Sequence, residues 1–309
     1  MDDRRAGPRR EAAALLASLE RGQGAAGGAP RVGLTGAPGA GKSTLLDALV
    51  RRLRAGGTTV GVVAVDPSSR RTGGALLGDR VRVRASAGDP GVFFRSLAAR
   101  DRLGGLAEGA RAMVVVLASV FDVVIVETVG VGQSEGDVAD LVDTLVYVAQ
   151  PGAGDLLQFM KAGILELPDV VAVNKADLGP AAERTASELE AGLGLGERDP
   201  GGWTRPVVRV SARDGSGLDA LAAALEAHRT HLARGDGLAA RRRCGRDGFV
   251  REALRARYGS YGMEALGGPE ALSDRLRGDP SSAGFALVEA LGREIEDALR
   301  KPAGAEAEP

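Results

Sequence analysis

One cysteine, Cys244, occurs in 309 residues. A single thiol excludes an internal disulfide framework and a cysteine-built metal cage, and a reducing, cytoplasmic setting fits. Aromatic residues are scarce, at 3%. Long apolar runs are missing as well. The longest nearly apolar stretch, 112–121, is stopped by Asp122. A bilayer needs about 20 apolar residues, so nothing here spans a membrane. The opening MDDRRAGPRR lacks the apolar core of a signal peptide. Nor is there surplus basic charge: 40 Lys and Arg face 41 Asp and Glu, a formal net charge of −1, which points away from nucleic acid. What is present, 44% hydrophobic and 26% charged residues, is ordinary globular composition.

Residues 10–21 (REAAALLASLER) carry apolar residues at helical spacing before RGQGAAGGAP breaks the pattern. Short apolar runs then alternate with helix-length segments. They are RVGLT (31–35), TVGVVAV (59–65), DVVIVE (122–127), TLVYVAQ (144–150), VVAVNK (170–175) and PVVRVS (206–211). Val-rich and not alternating, they suit strands buried on both faces. The expected fold class is α/β, with a mostly parallel, doubly wound sheet. A short N-terminal helix and linker fill 1–28 and the α/β domain 29–235. Residues 236–309 form a C-terminal helical extension, with helices expected over 241–259 and 283–300 and disorder over KPAGAEAEP.

GAPGAGKST (36–44) follows the first strand and opens the helix LLDALVRRL. It matches G-x-x-x-x-G-K-[ST] in the strand–loop–helix context that gives the motif meaning, and makes 29–235 an expected P-loop NTPase domain. Gly36, Ala37, Pro38, Gly39, Ala40 and Gly41 supply a curled backbone whose N–H groups cradle phosphate oxygens, at a helix end with partial positive charge. Lys42 reaches the terminal phosphates; Ser43, followed by Thr44, offers one Mg²⁺ position.

The tetrad NKAD (174–177) ends the strand VVAV. Asp177 can accept two hydrogen bonds from guanine, a pair of donors adenine lacks. Asn174 can bond the O6/N7 side, and the Lys175 stem can cover the base. Ser211 and Ala212, in VSARDGSG, resemble the guanine-contacting Ser-Ala loop of GTPases. The expected ligands are GTP and GDP. Two acids end strands, Asp66 and Glu127; strand C-termini line the ligand edge of a parallel sheet, so both are candidates for the Mg²⁺ surroundings. Asp79 lies further on, where it could bind the metal through water or orient the attacking water. Gly130 and Gly132 permit close backbone approach to a γ-phosphate, and hydrolysis would release that contact.

Taken in order, GAPGAGKST, AVDPSSRRTGGALLGD, VETVGVGQSE, PGAGDLLQFMKAGILE and VAVNKAD resemble the MeaB/ArgK (MMAA-type) family of P-loop GTPases over roughly 31–235. The resemblance implies a homodimeric GTPase chaperone that gates adenosylcobalamin loading into, and protects, an acyl-CoA mutase such as methylmalonyl-CoA mutase. It also implies an extra switch over 150–163, with Asp155 and Lys161 as the charged coupling candidates. Two segments depart from the family pattern. Arg80-Val81-Arg82-Val83 stands where many members have Lys-Thr-Arg-Met, and FFRSLA keeps Arg95 without the usual prolines.

Catalysis by such a site is mostly positioning and charge neutralisation. Gln133 and Arg95 are the candidates for a group acting on the attacking water or the transition state. With neither fixed in cis, slow intrinsic turnover and stimulation by a partner are expected. Two other readings stay open. A metal-insertion GTPase of the hydrogenase or urease type would need ligands, and His228 and His231 (HRTH) offer an H-x-x-H pair, although such a pair is more often a solvated helix face. A GTP-dependent scaffold with little hydrolysis is the other.

Overall fold

The computed structural model describes residues 6–23, 27–66, 88–98, 105–128, 138–152, 167–194 and 202–300. Its strands are β1 (Arg31–Thr35), β2 (Val60–Asp66), β3 (Val92–Ala98), β4 (Val123–Thr128), β5 (Thr144–Ala149), β6 (Val170–Val173) and β7 (Val207–Arg209). They form one parallel sheet in the order β3-β2-β4-β1-β5-β6-β7. Six of them fall on the apolar runs expected from the sequence. β3, VFFRSLA, was not expected as a strand. Among the described residues it pairs only with β2 and edges the sheet. Phe93 and Arg95 are exposed there while Val92 and Phe94 are half-buried, so the continuous apolar signature of a central strand is diluted.

The helices are α1 (Ala6–Gln23), α2 (Lys42–Ala55), α3 (Gly105–Ala118), α4 (Pro180–Gly194), α5 (Leu218–Leu232), α6 (Gly237–Ala265), α7 (Gly268–Gly278) and α8 (Gly284–Arg300). α2 and α5 cover one face of the sheet, where Val32, Leu34, Val146 and Val148 meet Leu45, Leu49 and Leu221. α3 and α4 cover the other, against Val124 and Val126 and against Tyr147 and Val171 respectively. Alternate residues of β5 thus serve opposite faces, the period-2 consequence of a strand buried on both sides.

α3 explains the apolar run that stopped at Asp122. Val114 and Leu117 pack on the sheet, while Val115, with Ala112, packs outward against Phe249, Leu254 and Phe285. A helix buried on two sides needs no polar face. Its outer neighbours are the two ends of the chain: Ala17 of α1 shares that cluster with α6, α7 and α8. α6 is longer than the expected 241–259 and bends at Gly259, whose φ and ψ are 66° and −168°. The short α7 lacks an expectation in the sequence reading.

Two buried acids fasten this helical cluster to the strand N-termini. Asp143 accepts from the Arg31 backbone N–H at 3.0 Å and from Arg242 Nε and Nη2, both at 2.8 Å. Asp169 accepts from the Leu145 N–H at 2.8 Å and from Arg241 Nη1 and Nη2 at 3.1 and 2.8 Å. Among the described residues no helix is long and apolar enough to cross a membrane.

Candidate functional site

β1 is central, and the chain leaves it through the glycine loop into α2, so the loop sits at the C-terminal edge of the sheet between β4 and β5. That is the crevice where ligands of open α/β sheets bind. Two glycines are obligatory here. Gly36 has φ 141°, and a Cβ on it would lie 2.2 Å from the Val148 carbonyl oxygen. Gly41 has φ 85°, and its Cβ would fall 2.5 Å from Asn174 Nδ2. Gly41 caps α2 with no side-chain hydrogen bond, and the first turn holds no acid. The uncapped N–H groups and the helix dipole therefore fit an anion.

Lys42 is buried, and its Nζ donates to the carbonyls of Gly36 at 2.7 Å and Ala37 at 3.0 Å. The ammonium group is thereby held against the loop that must cradle phosphates. Pro38, Gly39 and Thr44 are exposed on the outer side of the loop, while Ala37 and Ala40 are buried. Ser43 Oγ donates to Glu127 Oε1 at 2.7 Å. Glu127 is only 3% exposed, paired in register with Leu34 of β1 and Ala64 of β2. Two hard oxygen donors at the mouth of a phosphate loop form a set that fits Mg²⁺. Asp66 ends β2 at the same sheet edge, opposite Ala98; its side chain lies outside the description. Asp79, Gly130, Gly132, Gln133, Asp155 and Lys161 all fall outside the described residues, as does the tail 301–309. Arg95 is described, and it points from the exposed edge strand β3 rather than from a strand flanking the loop.

The second half of the site joins β6 to the segment after β7. Ser211 Oγ donates to Asp177 Oδ1 at 2.9 Å, and Arg213 lies 3.9 Å from Asp177 Oδ2. Ser211 and Ala212 are buried while Asp177 is exposed. The carboxylate is thus aimed and still accessible. Beside it, the Ser216 N–H holds the Asp214 carboxyl below its usual range, with smaller help from Ser211. Lys175 is the sole non-glycine residue with positive φ, 61°, among the described residues. Such strain, about 1–3 kcal/mol, gathers at functional sites. Its Nζ donates to Gly39 O at 2.8 Å and Gln150 Oε1 at 2.9 Å, which stretches the stem across the crevice.

Asn174 makes contacts that its motif does not announce. Its Nδ2 donates to Ala40 O at 2.8 Å and Gly41 O at 3.4 Å, and its Oδ1 accepts from the Ala212 N–H at 3.2 Å. At 2% exposure its amide is engaged with three backbone positions. Asn174 ties the phosphate loop, the NKAD turn and the Ser-Ala turn together. Gln150, the first residue of the segment 150–163, joins the site through Lys175, and its place at the end of β5 is the signal for it.

The H-x-x-H pair is not a solvated face. His228 is buried, with Nδ1 2.9 Å from Thr144 Oγ1 and Nε2 3.5 Å from Asp169 Oδ1. Both His228 and His231 pack on Trp203, with ring centroids 4.8 and 5.2 Å away. Periodicity alone hid this, because α5 buries that stripe against β5 and β6. No group of three or more His, Cys, Asp and Glu able to hold a metal exists among the described residues.

A phosphate loop on β1, an NKAD turn on β6 and an all-parallel sheet define a P-loop nucleotide-binding protein of the GTPase class. A sequence model of the family described as "Methylmalonyl Co-A mutase-associated GTPase MeaB" matches residues 1–258. The chain belongs to this MeaB family of GTPases. A putative GTPase of Pyrococcus abyssi is 48% identical over 221 residues, covering 70% of this chain and 68% of that protein. The mouse protein named "Methylmalonic aciduria type A homolog, mitochondrial" is 41% identical over 191 residues, covering 61% of this chain and 46% of its own. Among solved structures, one titled "LAO/AO transport system kinase" superposes with a TM-score of 0.63 at 27% identity, covering 91% of this chain and 85% of that one.

Proposed function

We propose that the protein binds GTP with Mg²⁺ along the strand C-termini, hydrolyses it slowly, and uses the nucleotide state to gate adenosylcobalamin loading into an acyl-CoA mutase. The observation that carries the nucleotide reading is the strut made by Asn174, which locks Gly41 of the phosphate loop to the turn holding Asp177 and Ser211. Phosphate and base sites are therefore set at a fixed spacing, which is what recognition of one molecule by both requires.

In this reading Lys42 exchanges the carbonyls of Gly36 and Ala37 for phosphate oxygens, and the backbone of 36–44 supports the remaining charge. Asp177 accepts from guanine while Ser211 holds it in line. Ser43 and Glu127, with Asp66 and Asp79, would hold Mg²⁺, which when bound neutralises charge on the transferring phosphoryl group. The catalytic set is Lys42, Asp79 and Glu127. Gly130 contacts the nucleotide, and Gly132, Gln133, Asp155 and Lys161 carry its state to the partner.

The mutase half of the proposal rests on the family and on the mouse relative's name. In the same reading the protein is a cytoplasmic homodimer. Phosphate release by the full chain, alone and with purified adenosylcobalamin-dependent acyl-CoA mutases, tests it. Slow release alone, raised by up to ~10³–10⁵ with one mutase, and co-elution with that mutase are expected. A chain that neither binds nor responds to any such mutase refutes the chaperone role while leaving GTP binding intact.

A further inference from the structure

At the opposite end of β1 from the phosphate loop lies a cavity of about 330 Å³, walled by α1, the start of β1, α3, α6 and the turn that opens α8. Six arginines line it: Arg21, Arg31, Arg111, Arg242, Arg243 and Arg246. Glu20 is the only acid lining it among the described residues. Most of these cations have carboxylate partners. Arg111 pairs with Glu20 at 2.9 Å, Arg242 with Asp143 at 2.8 Å and Arg246 with Asp247 at 2.7 Å, while Arg243 pairs with Asp236.

Arg21 and Arg31 have no such pair among the described residues, and of these two Arg21 is exposed while Arg31 is buried. Arg31 Nη2 donates to a neutral group, Gln23 Oε1, at 2.7 Å. Gln23 is itself fixed by donating to Val115 O at 2.7 Å and Ser119 Oγ at 2.9 Å. Arg31 Nε is buried with no hydrogen-bond partner, although the residue is only 9% exposed. Burial drives this guanidinium down to about 10; the Arg242 charge adds to the shift and Asp143 opposes it. A buried cation with a spare donor is costly unless an anion completes it. The fork geometry of several converging guanidinium groups matches phosphoryl oxygens in particular. The turn 280–284 adds the positive end of α8, whose first turn carries no acid of its own and whose Phe285 N–H donates to Glu20 Oε2 at 3.3 Å.

We propose that this arginine-lined cavity binds a small phosphoryl anion at a site separate from the nucleotide. The anion supplies the acceptor that Arg31 lacks and joins α1, α3 and α6 to the first strand. Because β1 runs from Arg31 directly into the phosphate loop, roughly 13 Å away at strand rise, the two sites are distinct. They can be titrated independently.

The test uses the full chain saturated with GDP in Mg²⁺-free buffer, so that the phosphate loop is occupied and pyrophosphate is not sequestered by metal. Pyrophosphate is titrated calorimetrically at fixed ionic strength, with orthophosphate and malonate as parallel arms. One equivalent of pyrophosphate per chain is expected, with a raised melting temperature and weaker binding of orthophosphate. Arg31→Met should weaken pyrophosphate by about tenfold or more, the effect of losing one charge-assisted pair, without changing GDP affinity. Arg243→Ser, at the exposed rim, should weaken it less and keeps the test valid if Arg31→Met folds poorly. Absence of saturable binding overturns the proposal, as does binding unchanged in both variants. Malonate binding as tightly as pyrophosphate overturns the phosphoryl assignment.

Discussion

Asp177 and Asn174 stand three residues apart and do different work. Asp177 is exposed and held from one side by Ser211; Asn174 is buried and bonded to backbone on both sides of the crevice. Asp177→Asn exchanges an acceptor for a donor. It should weaken GTP by a factor approaching ~10⁴, because a hydrogen-bond set that the bound base would cover is left unmatched, and shift preference to xanthosine triphosphate. Competition of GTP and XTP for a fluorescent analogue reads this, and unchanged GTP affinity sinks the base assignment. Glu127→Gln keeps an acceptor for Ser43 Oγ yet removes the charge. It should raise the Mg²⁺ concentration needed for nucleotide hydrolysis by about 10- to 100-fold, with thermal stability little changed. An unaltered Mg²⁺ dependence would show that Glu127 serves only the Ser43 hydrogen bond. The types and order of these residues were legible from the sequence, because motif chemistry is local. The engagement of the Asn174 amide was not, since Ala40 and Ala212 approach it only in three dimensions.

Strands buried along their whole length were legible, whereas of the two strands at the ends of the sheet order the Val-rich β7 was legible and β3 was not. β1 spans the expected 31–35, and β5 differs by one residue at its end, because both are buried along their whole length. β3, with one free edge, left no such trace, and α7 is too short and too polar to stand out beside the long helices. The kink in α6 was equally silent: Gly259 could have ended a helix, and instead the chain resumes one. The phosphate loop is the element most strictly dictated by backbone sterics. Gly36→Ala must place a methyl group against the Val148 carbonyl, a backbone atom of β5 that cannot turn aside. At about 1–3 kcal/mol of strain, GDP and GTP affinity should both fall about tenfold to a hundredfold. Equilibrium binding checks the loss, and an equal loss for both nucleotides separates loop distortion from any effect on the γ-phosphate. Wild-type affinity in this variant would mean that β5 yields.

At the scale of the whole molecule, the chain ends matter as much as the sheet. α1 and α6–α8 share one apolar cluster, so the first and last segments fold against each other and against the outer face of α3. The sequence displayed an arginine-rich helix over 241–259 without saying what the arginines meet. The structure shows Arg241 and Arg242 reaching Asp169 and Asp143, which also accept the first N–H groups of the strands. Both acids are nearly inaccessible, with side chains 4% and 6% exposed. Removing a cation from such a pair leaves an uncompensated buried charge, about 3–5 kcal/mol. An exposed pair within the helical cluster, Arg275 with Glu294, is worth about 0–1 kcal/mol by comparison. Arg242→Ala should therefore lower the denaturation midpoint far more than Arg275→Ala, although both delete one arginine–carboxylate contact. Urea titration followed by circular dichroism, with Trp203 fluorescence recorded in parallel, measures both. Trp203 donates to the Asp169 carbonyl oxygen at 2.8 Å and reports on the strand side of the junction. If Arg242→Ala detaches the helices first, the circular dichroism signal will fall before the tryptophan signal moves. Coincident transitions would show that sheet and helical cluster unfold as one cooperative unit, and equal midpoints for the two variants would remove the junction from the stabilising core.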